Sequence, residues 1–129
     1  MALISSGTLQ AATTIARTTA TIMGAEIACG SYDYITLYYT YTNGDETGVY
    51  IYPYFFWESG GTAYPLQLWS EASGVYTNEA VKYTHTATAT AQITIDIRGI
   101  EYIAFYQGGS ANDGTPTGTI AAYWTMTGE

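Results

Sequence analysis

The segment GIEYIAFY, Gly99 to Tyr106, has a near copy, YDYITLYY, at Tyr32 to Tyr39, and the fold can be inferred from this pair. Both copies are rich in β-branched and aromatic residues, which favour strands. Each copy is entered through a glycine, Gly99 in one and Gly30 in the other, and glycine accepts the backbone angles of a tight corner at little cost. The two copies therefore predict two central strands, each preceded by a corner.

The first copy opens an alternating run over residues 32–42, which predicts a strand with one face on the core. Asn43-Gly44 follows, and this dipeptide is a strong hairpin signal because both residues accept positive φ. Residues 48–57 are the predicted return strand, where Pro53 indicates an edge position or a bulge because it has no N–H to donate. The predicted inward residues are Ile35, Leu37, Tyr39 and Tyr41 on the first strand, and Val49, Ile51, Phe55 and Trp57 on the second.

The cleanest alternation in the chain runs through residues 81–98. It is longer than a typical strand of about 5–6 residues, so we predict a bend, a bulge or a crossing between sheets near Ala87 to Ala91. Residues 71–79 are predicted to form a loop. The last strand, Thr119 to Met126, is predicted to bury one face, which carries Ile120, Ala122, Trp124 and Met126.

Short strands between turn signals, without a convincing amphipathic helix, predict an all-β fold, an antiparallel β-sandwich of two sheets. The likeness of residues 12–57 and 81–126 predicts pseudo-repeated halves in a Greek-key or jelly-roll arrangement, and a closed barrel is the alternative. Residues 1–10 are predicted to be an N-terminal arm or an edge strand. Residues 11–129 are predicted to be a single domain.

The composition argues against several classes of partner. Charged residues make up 11% of the 129 residues and the net charge is -8, with Arg17, Lys82 and Arg98 as the three basic residues. With so few cations we expect the chain to bind neither nucleic acid nor anionic membranes. No apolar run approaches the ~18 residues of a membrane span. The start, MALISSGTLQ, lacks the basic region of a signal peptide, so we expect a cytosolic protein or one that leaves the cell within an assembly.

No arrangement of residues predicts catalysis, a cofactor or a metal site. His85 is the single histidine, and we interpret it as a satisfied sheet residue. Glu58, Glu71 and Glu79 could form the carboxylate pair of a glycosidase, but eleven acidic residues offer such pairs by chance. Asn and Asp clusters such as Asn112-Asp113 are more typical of turns. Cys29, the single cysteine, is predicted to be a small buried residue.

The most unusual local feature is an aromatic run in the return strand. Alternation places one set of its aromatic side chains away from the core, and exposed tyrosines are typical of protein interfaces or of platforms on which sugars stack. Packing against a further layer is the third interpretation. The outward set is Tyr50, Tyr52, Tyr54 and Phe56, and the candidates for sugar stacking are Trp57, Tyr64 and Trp69.

Two segments, SYDYITLYYTYTNGDETGVYIY and GGSANDGTPTGTIAAYW, make this acidic, Thr-, Gly- and Tyr-rich chain resemble small all-β virion proteins of tailed bacteriophages, in particular capsid decoration (cement) proteins. The resemblance implies a virion structural protein without enzymatic activity or cofactor. It also implies a homo-oligomer, with a trimer favoured, that is assembled in the host cytoplasm and seated on the outer capsid surface. Its partners would be the major capsid protein or other virion proteins.

On that hypothesis three segments are the candidate contact surfaces. They are the N-terminal arm, the aromatic strand and the loop over residues 108–118. A carbohydrate-binding or host-recognition module is the alternative function. The residues predicted to make the contacts are Leu3, Ile4, Tyr50, Tyr52, Tyr54, Phe56, Trp57, Asn112 and Asp113.

Overall fold

The computed structural model describes residues 3–17, 20–110 and 115–128, with the backbone alone at residues 68–72 and 76–77. Strands account for all the regular structure in these ranges, which confirms the all-β prediction. The strands are β1 (Leu3–Thr14), β2 (Thr21–Ile22), β3 (Ile27–Ala28), β4 (Tyr34–Thr42), β5 (Val49–Phe56), β6 (Tyr64–Pro65), β7 (Gln67–Ala72), β8 (Val75–Ala80), β9 (Tyr83–His85), β10 (Ala89–Asp96), β11 (Tyr102–Gly109) and β12 (Thr119–Gly128).

The strands form two antiparallel sheets that pack face to face, and a small separate hairpin. The four-stranded sheet has the order β1-β12-β4-β10, and the six-stranded sheet has the order β2-β11-β5-β6, with β3 beside β11 and β9 beside β5. The chain changes sheet between β3, β4 and β5, and again between β10, β11 and β12. This alternation between two sheets is the jelly-roll pattern, so the predicted two-sheet sandwich is confirmed and the closed barrel is not formed.

The two sequence copies lie at corresponding places in opposite sheets. The first copy becomes β4, between β12 and β10, and the second becomes β11, between β5 and the short β2 and β3. Gly99 enters the second copy with a φ of 82°, in the left-handed region that favours glycine. At the first copy a turn is closed by the Tyr32 N–H, which donates to the Cys29 carbonyl at 3.0 Å. The repeat therefore relates one sheet to the other.

The core fills the space between the two sheets, and it follows the predicted alternation. On β4 the inward residues Ile35, Leu37 and Tyr41 are fully buried. They face residues of β5 and β11 across the sandwich, where Ile51 and Phe105 are also fully buried. Further buried members of the cluster are Leu9, Ile15, Met23, Ile27, Cys29, Tyr39, Val49, Ile93, Ile95, Ile97, Ile103, Ile120, Ala122 and Met126.

The predicted hairpin at Asn43-Gly44 is wrong, because β4 and β5 lie in different sheets. The connecting segment is held by the buried carboxylate of Glu46, which accepts hydrogen bonds from the N–H groups of Gly44 at 2.7 Å, Thr117 at 3.0 Å and Gly118 at 2.7 Å. The Tyr41 hydroxyl donates to the same carboxylate. A six-residue segment fixed in this way can cross between sheets, whereas a two-residue turn would pair β4 with β5.

The predicted loop over residues 71–79 is also wrong, since β7 and β8 form a hairpin there. Its turn is Ser73-Gly74, with φ values of 53° and 79°. Two consecutive positive φ values make the type I′ turn that suits a hairpin. Serine is not a usual residue for a positive φ, so the sequence carried only half of the turn signal.

Two features of the long segments agree with the sequence. The alternation over residues 81–98 divides into β9 in one sheet and β10 in the other, so of the predicted bend, bulge or crossing it is the crossing that forms. Pro53 lies inside β5, but its carbonyl accepts the Leu66 N–H at 3.1 Å on the side away from β11. A residue in an antiparallel strand directs its N–H and C=O to the same side, so the N–H that Pro53 lacks would also point away from β11. On that side β6 pairs with residues 54–55 and β9 with residues 49–51, and neither pairs with residue 53.

Candidate interaction surfaces

The outer surface of the six-stranded sheet carries a continuous row of tyrosines, which we call the tyrosine face. It consists of Tyr50, Tyr52 and Tyr54 on β5 and Tyr106 on β11, all of them half-buried. The ring centroids lie 5.9 Å apart for Tyr50 and Tyr52, 6.5 Å for Tyr52 and Tyr54, and 4.8 Å for Tyr54 and Tyr106. These spacings are in the range of favourable aromatic contacts, so each ring limits the movement of the next.

Two residues that point to the same side of the sheet as the tyrosine face are buried. Ala104 pairs with Tyr54 and points outward by register, yet it is fully buried. Phe56 also points outward by register and is 7% exposed, so it contributes little surface for contact. Burial raises the pKa of the Tyr52 hydroxyl, with a further contribution from the neighbouring Tyr50 and Tyr54. The row is therefore a packed aromatic layer.

One cation lies at the end of this layer. The Lys82 ammonium is 4.2 Å from the centroid of the Tyr50 ring, a distance suited to a cation–π contact. Tyrosines held in this way lose little side-chain entropy when a partner binds, and they offer both apolar area and hydroxyl groups. Such a surface can bind another protein without removing many charges from water.

The other predicted contact residues lie elsewhere on the molecule. Leu3 and Ile4, which are 42% and 73% exposed, lie at the start of β1 on the edge of the four-stranded sheet. Trp57, predicted to face inward, instead lies just past the end of β5 and is 77% exposed. Asn112 and Asp113 lie outside the described residues.

The structure brings together three of the predicted residues and adds one. Tyr50, Tyr52 and Tyr54 form a single surface, whereas Leu3 and Ile4 belong to the other sheet. Tyr106 joins the tyrosine face through its register with Tyr52, a pairing between distant parts of the chain. The signal that could have found it is the alternation within GIEYIAFY, which directs Phe105 inward and Tyr106 outward.

Trp57 and Tyr64 lie on the rim of a small hollow at one end of β5. The hollow has a volume of about 230 Å³ and is lined in addition by Phe55, Phe56, Gly99, Ile100 and Glu101. Tyr64 is 57% exposed. The lining of the hollow is mainly apolar, so the hollow provides aromatic area but few hydrogen-bonding groups. The side chain of Trp69, the third predicted stacking residue, is not among those described.

His85 lies beside an open cleft of about 680 Å³ between β9 and β10. Its Nε2 is 2.5 Å from the Tyr39 hydroxyl oxygen, and the two rings meet edge to face. Burial, and to a lesser extent Tyr83, raises the pKa of Tyr39 to about 12. Among the described residues no carboxylate is hydrogen-bonded to the imidazole, so this pair lacks the group that orients the base in a Ser-His-Asp arrangement.

Two other kinds of feature are absent from the described part of the chain. No group of three or more His, Cys, Asp or Glu side chains there is arranged to hold a metal ion. No helix among residues 3–17, 20–110 and 115–128 has the length and apolar character needed to span a membrane.

Comparison with solved structures supports the fold assignment. The chain is similar to SPBc2 prophage-derived protein YomS, with a TM-score of 0.61 and 16% identity over 98% of this chain and 95% of that one. It is also similar to part of the structure of infectious bursal disease virus, Gx strain, with a TM-score of 0.53 and 9% identity over 99% of this chain but 33% of the viral chain. At these identities the likeness shows a shared fold.

A weaker likeness, with a TM-score of 0.45, relates the chain to Bacillus endospore appendages described as disulfide-linked pili, at 19% identity over 98% of this chain and 88% of that one. No protein-family model matches the sequence, and no curated protein matches it.

Proposed function

We propose that the chain is a non-enzymatic structural protein of a phage virion, a decoration protein that binds the outer capsid surface and stabilises the shell. We further propose that it acts as a homo-oligomer, with a trimer as the favoured state. Contacts of about 1,200–2,000 Å² per interface would give stable binding. Distributed over a shell, they would resist the outward pressure of packaged DNA.

The observation that carries this proposal is the tyrosine face. Interface cores are enriched in tyrosine and depleted in lysine and acidic residues, and the tyrosine face has that composition. Its rings are already packed against one another, so binding would order few additional rotamers. The shared fold with a prophage-derived protein, over nearly the full length of both chains, supports a phage origin.

The first experiment measures the oligomeric state by size-exclusion chromatography with light scattering. We expect the unaltered chain to elute as an oligomer and Tyr52→Glu to elute as a monomer, because a carboxylate at the centre of the tyrosine face would have to be desolvated. Thr94→Glu is the matched control, since it places the same charge on the outer surface of the four-stranded sheet at β10, the edge opposite Leu3 and Ile4, and should leave the oligomer intact. Circular dichroism confirms that both variants fold.

The second experiment measures binding to shells. Capsids from the phage or prophage that encodes the chain, prepared without it, are mixed with the purified protein and sedimented. We expect saturable co-sedimentation at a fixed ratio to the major capsid protein and a higher temperature of shell disruption. A chain that is monomeric at micromolar concentration and stays in the supernatant would contradict the proposal.

A carbohydrate-binding module for host recognition is the second candidate, and the exposure of Trp57 and Tyr64 beside one hollow favours it. On this hypothesis the two rings stack on a sugar. Trp57→Ala should then abolish binding to a glycan array, while Trp57→Phe retains part of it. An array on which Trp57→Ala binds like the unaltered chain would exclude this hollow as the site.

A further inference from the structure

The outer surface of the four-stranded sheet contains a second pair of exposed aromatic rings. Tyr38 on β4 and Tyr123 on β12 are directly paired in register and are 39% and 53% exposed. Both lie opposite the core, because their neighbours Leu37 and Ala122 are fully buried. The hollow between them and β10 has a volume of about 400 Å³, within the range of small-ligand sites.

Neutral polar groups surround these rings. Gln92 on β10 pairs in register with Tyr38, and its exposed amide makes no hydrogen bond to any described residue. One step along the strands, the hydroxyls of Thr40 and Thr90 lie 3.5 Å apart and also line the hollow. An amide and two hydroxyls thus offer donors and acceptors in the same hollow as two aromatic rings.

The register explains why a hollow forms there. Ala121 pairs with Thr40, so the row of small residues Ala121, Thr40 and Thr90 runs beside the row of larger residues Tyr123, Tyr38 and Gln92. The row of small residues lies lower than the row of larger residues beside it, and this difference in height leaves a groove across three strands. Because the sheet fixes the backbone positions of these residues, a ligand has only their side-chain rotamers to order.

Charge selects the kind of ligand that this groove can take. Its lining contains no Asp, Glu, Lys, Arg or His. The Asp96–Arg98 ion pair lies at the far end of β10. The net charge of -8 repels anionic ligands from the molecule as a whole. Sulfated, sialylated and phosphorylated ligands are therefore disfavoured.

We propose that the groove formed by Tyr38, Tyr123 and Gln92 is a binding site for a neutral carbohydrate. The C–H face of a pyranose ring carries slight positive charge and packs on the electron-rich face of an aromatic ring. Its hydroxyl edge then reaches the Gln92 amide and the hydroxyls of Thr40 and Thr90. The proposal adds a ligand to the structural role and does not depend on that role, since the groove and the tyrosine face lie on opposite sheets.

The test uses the full chain on an array of neutral oligosaccharides with glucose, galactose and N-acetylglucosamine units, with sialylated and sulfated glycans as comparison. We expect binding to at least one neutral glycan and to none of the acidic ones. For the best neutral glycan, titration calorimetry should show a loss of affinity of about tenfold or more in Tyr38→Ala and in Tyr123→Ala, the scale expected for one lost aromatic contact.

Two further variants distinguish this groove from the hollow beside Trp57. Gln92→Leu keeps the size of the side chain but removes its hydrogen bonds, and it should weaken binding while leaving the thermal stability unchanged. Trp57→Ala should bind like the unaltered chain. A blank array overturns the proposal, as does a loss of binding in Trp57→Ala that Tyr38→Ala does not share.

Tyr52→Glu distinguishes the two proposals from each other. It should abolish oligomer formation and retain glycan binding, because it alters only the tyrosine face. A protein that binds shells but no glycan would retain the proposed structural role and refute the carbohydrate site. A protein that binds a neutral glycan and no shell would retain the carbohydrate site and refute the proposed structural role.

Discussion

The carboxylate of Glu46 accepts a hydrogen bond from the backbone N–H of Gly118, 72 residues further along the chain, at 2.7 Å. The same carboxylate binds the N–H groups of Gly44 and Thr117 and the Tyr41 hydroxyl. It therefore ties the segment between β4 and β5 to the start of β12. One acidic side chain fixes two of the connections that cross between the sheets.

This arrangement predicts an acid-sensitive contribution to stability. Burial by itself raises the pKa of Glu46, but the hydrogen bonds from Gly44, Tyr41 and Gly118 outweigh it and lower the pKa to about 2, from an ordinary value of 4.5. Because the folded-state pKa is the lower one, the stabilisation is fully present above pH 4.5 and is lost as the pH falls toward 2. We expect this contribution to be on the order of 2 kcal/mol after solvent screening.

Glu46→Gln tests this prediction. At pH 7 the free energy of unfolding in urea should fall by about 2 kcal/mol, since the amide nitrogen of glutamine cannot accept the hydrogen bonds that one of the two carboxylate oxygens accepts. The difference from the unaltered chain should shrink as the pH is lowered toward 2. The neighbouring exposed residue gives the control, Asp45→Asn, which should change the stability little. An equal effect of the two substitutions would refute the role of Glu46.

Removing core volume from β4 should be far more costly than changing its outer face. Leu37 is fully buried, so Leu37→Ala should lower the free energy of unfolding by about 2–5 kcal/mol, through lost burial and the cavity that remains. Thr40→Ala, on the exposed face of the same strand, should change it by about 0.5 kcal/mol or less. Chemical denaturation of the two variants measures both values, and comparable losses would contradict the assigned faces.

The contact between Tyr39 and His85 should have a modest stabilising effect. Tyr39→Phe removes the hydroxyl that lies 2.5 Å from the imidazole Nε2, and we expect a loss of about 0.5–1.5 kcal/mol, as for a typical buried hydrogen bond. Tyr83→Phe, in the same cleft, is the control, because its hydroxyl has no hydrogen-bond partner among the described residues. Thermal unfolding at fixed pH distinguishes the two.

The single cysteine should be unreactive in the folded protein. Burial, together with the nearby Glu101 carboxylate, raises the pKa of the Cys29 thiol to about 12. Its sulfur lies 3.4 Å from the Ile100 carbonyl and is shielded from solvent. A disulfide reagent such as DTNB should not label the native chain at pH 8 and should label one thiol per chain in guanidinium chloride. Rapid labelling of the native protein would contradict this packing.

The sequence was sufficient where a pattern is local. A period of two along residues 34–42 identified Ile35 and Leu37 as buried, and the same rule placed Tyr50 and Tyr52 on an outer face. The length of the alternation over residues 81–98 predicted a bend, a bulge or a crossing between sheets, and a crossing is what forms. In each case the burial of one face sets the pattern directly.

The sequence was insufficient where distant residues decide the outcome. Asn43-Gly44 is a hairpin signal, but the partners of β4 are β10 and β12, and no local pattern records this. Ser73 takes a positive φ that its type does not favour. The groove at Tyr38 and Tyr123 depends on a pairing between strands about 85 residues apart, and before that pairing is known their alternation resembles that of any solvated face.

The order of strands also bears on how the protein can be made. Within the described residues β1 pairs with β12 alone, so β1 leaves the ribosome well before the strand with which it pairs. Until then its unpaired N–H and C=O groups are open to other chains. Closing so large a loop is slow compared with forming local hairpins. A nascent chain stalled before residue 119 should therefore be prone to aggregation, and efficient production should favour conditions that let synthesis finish quickly.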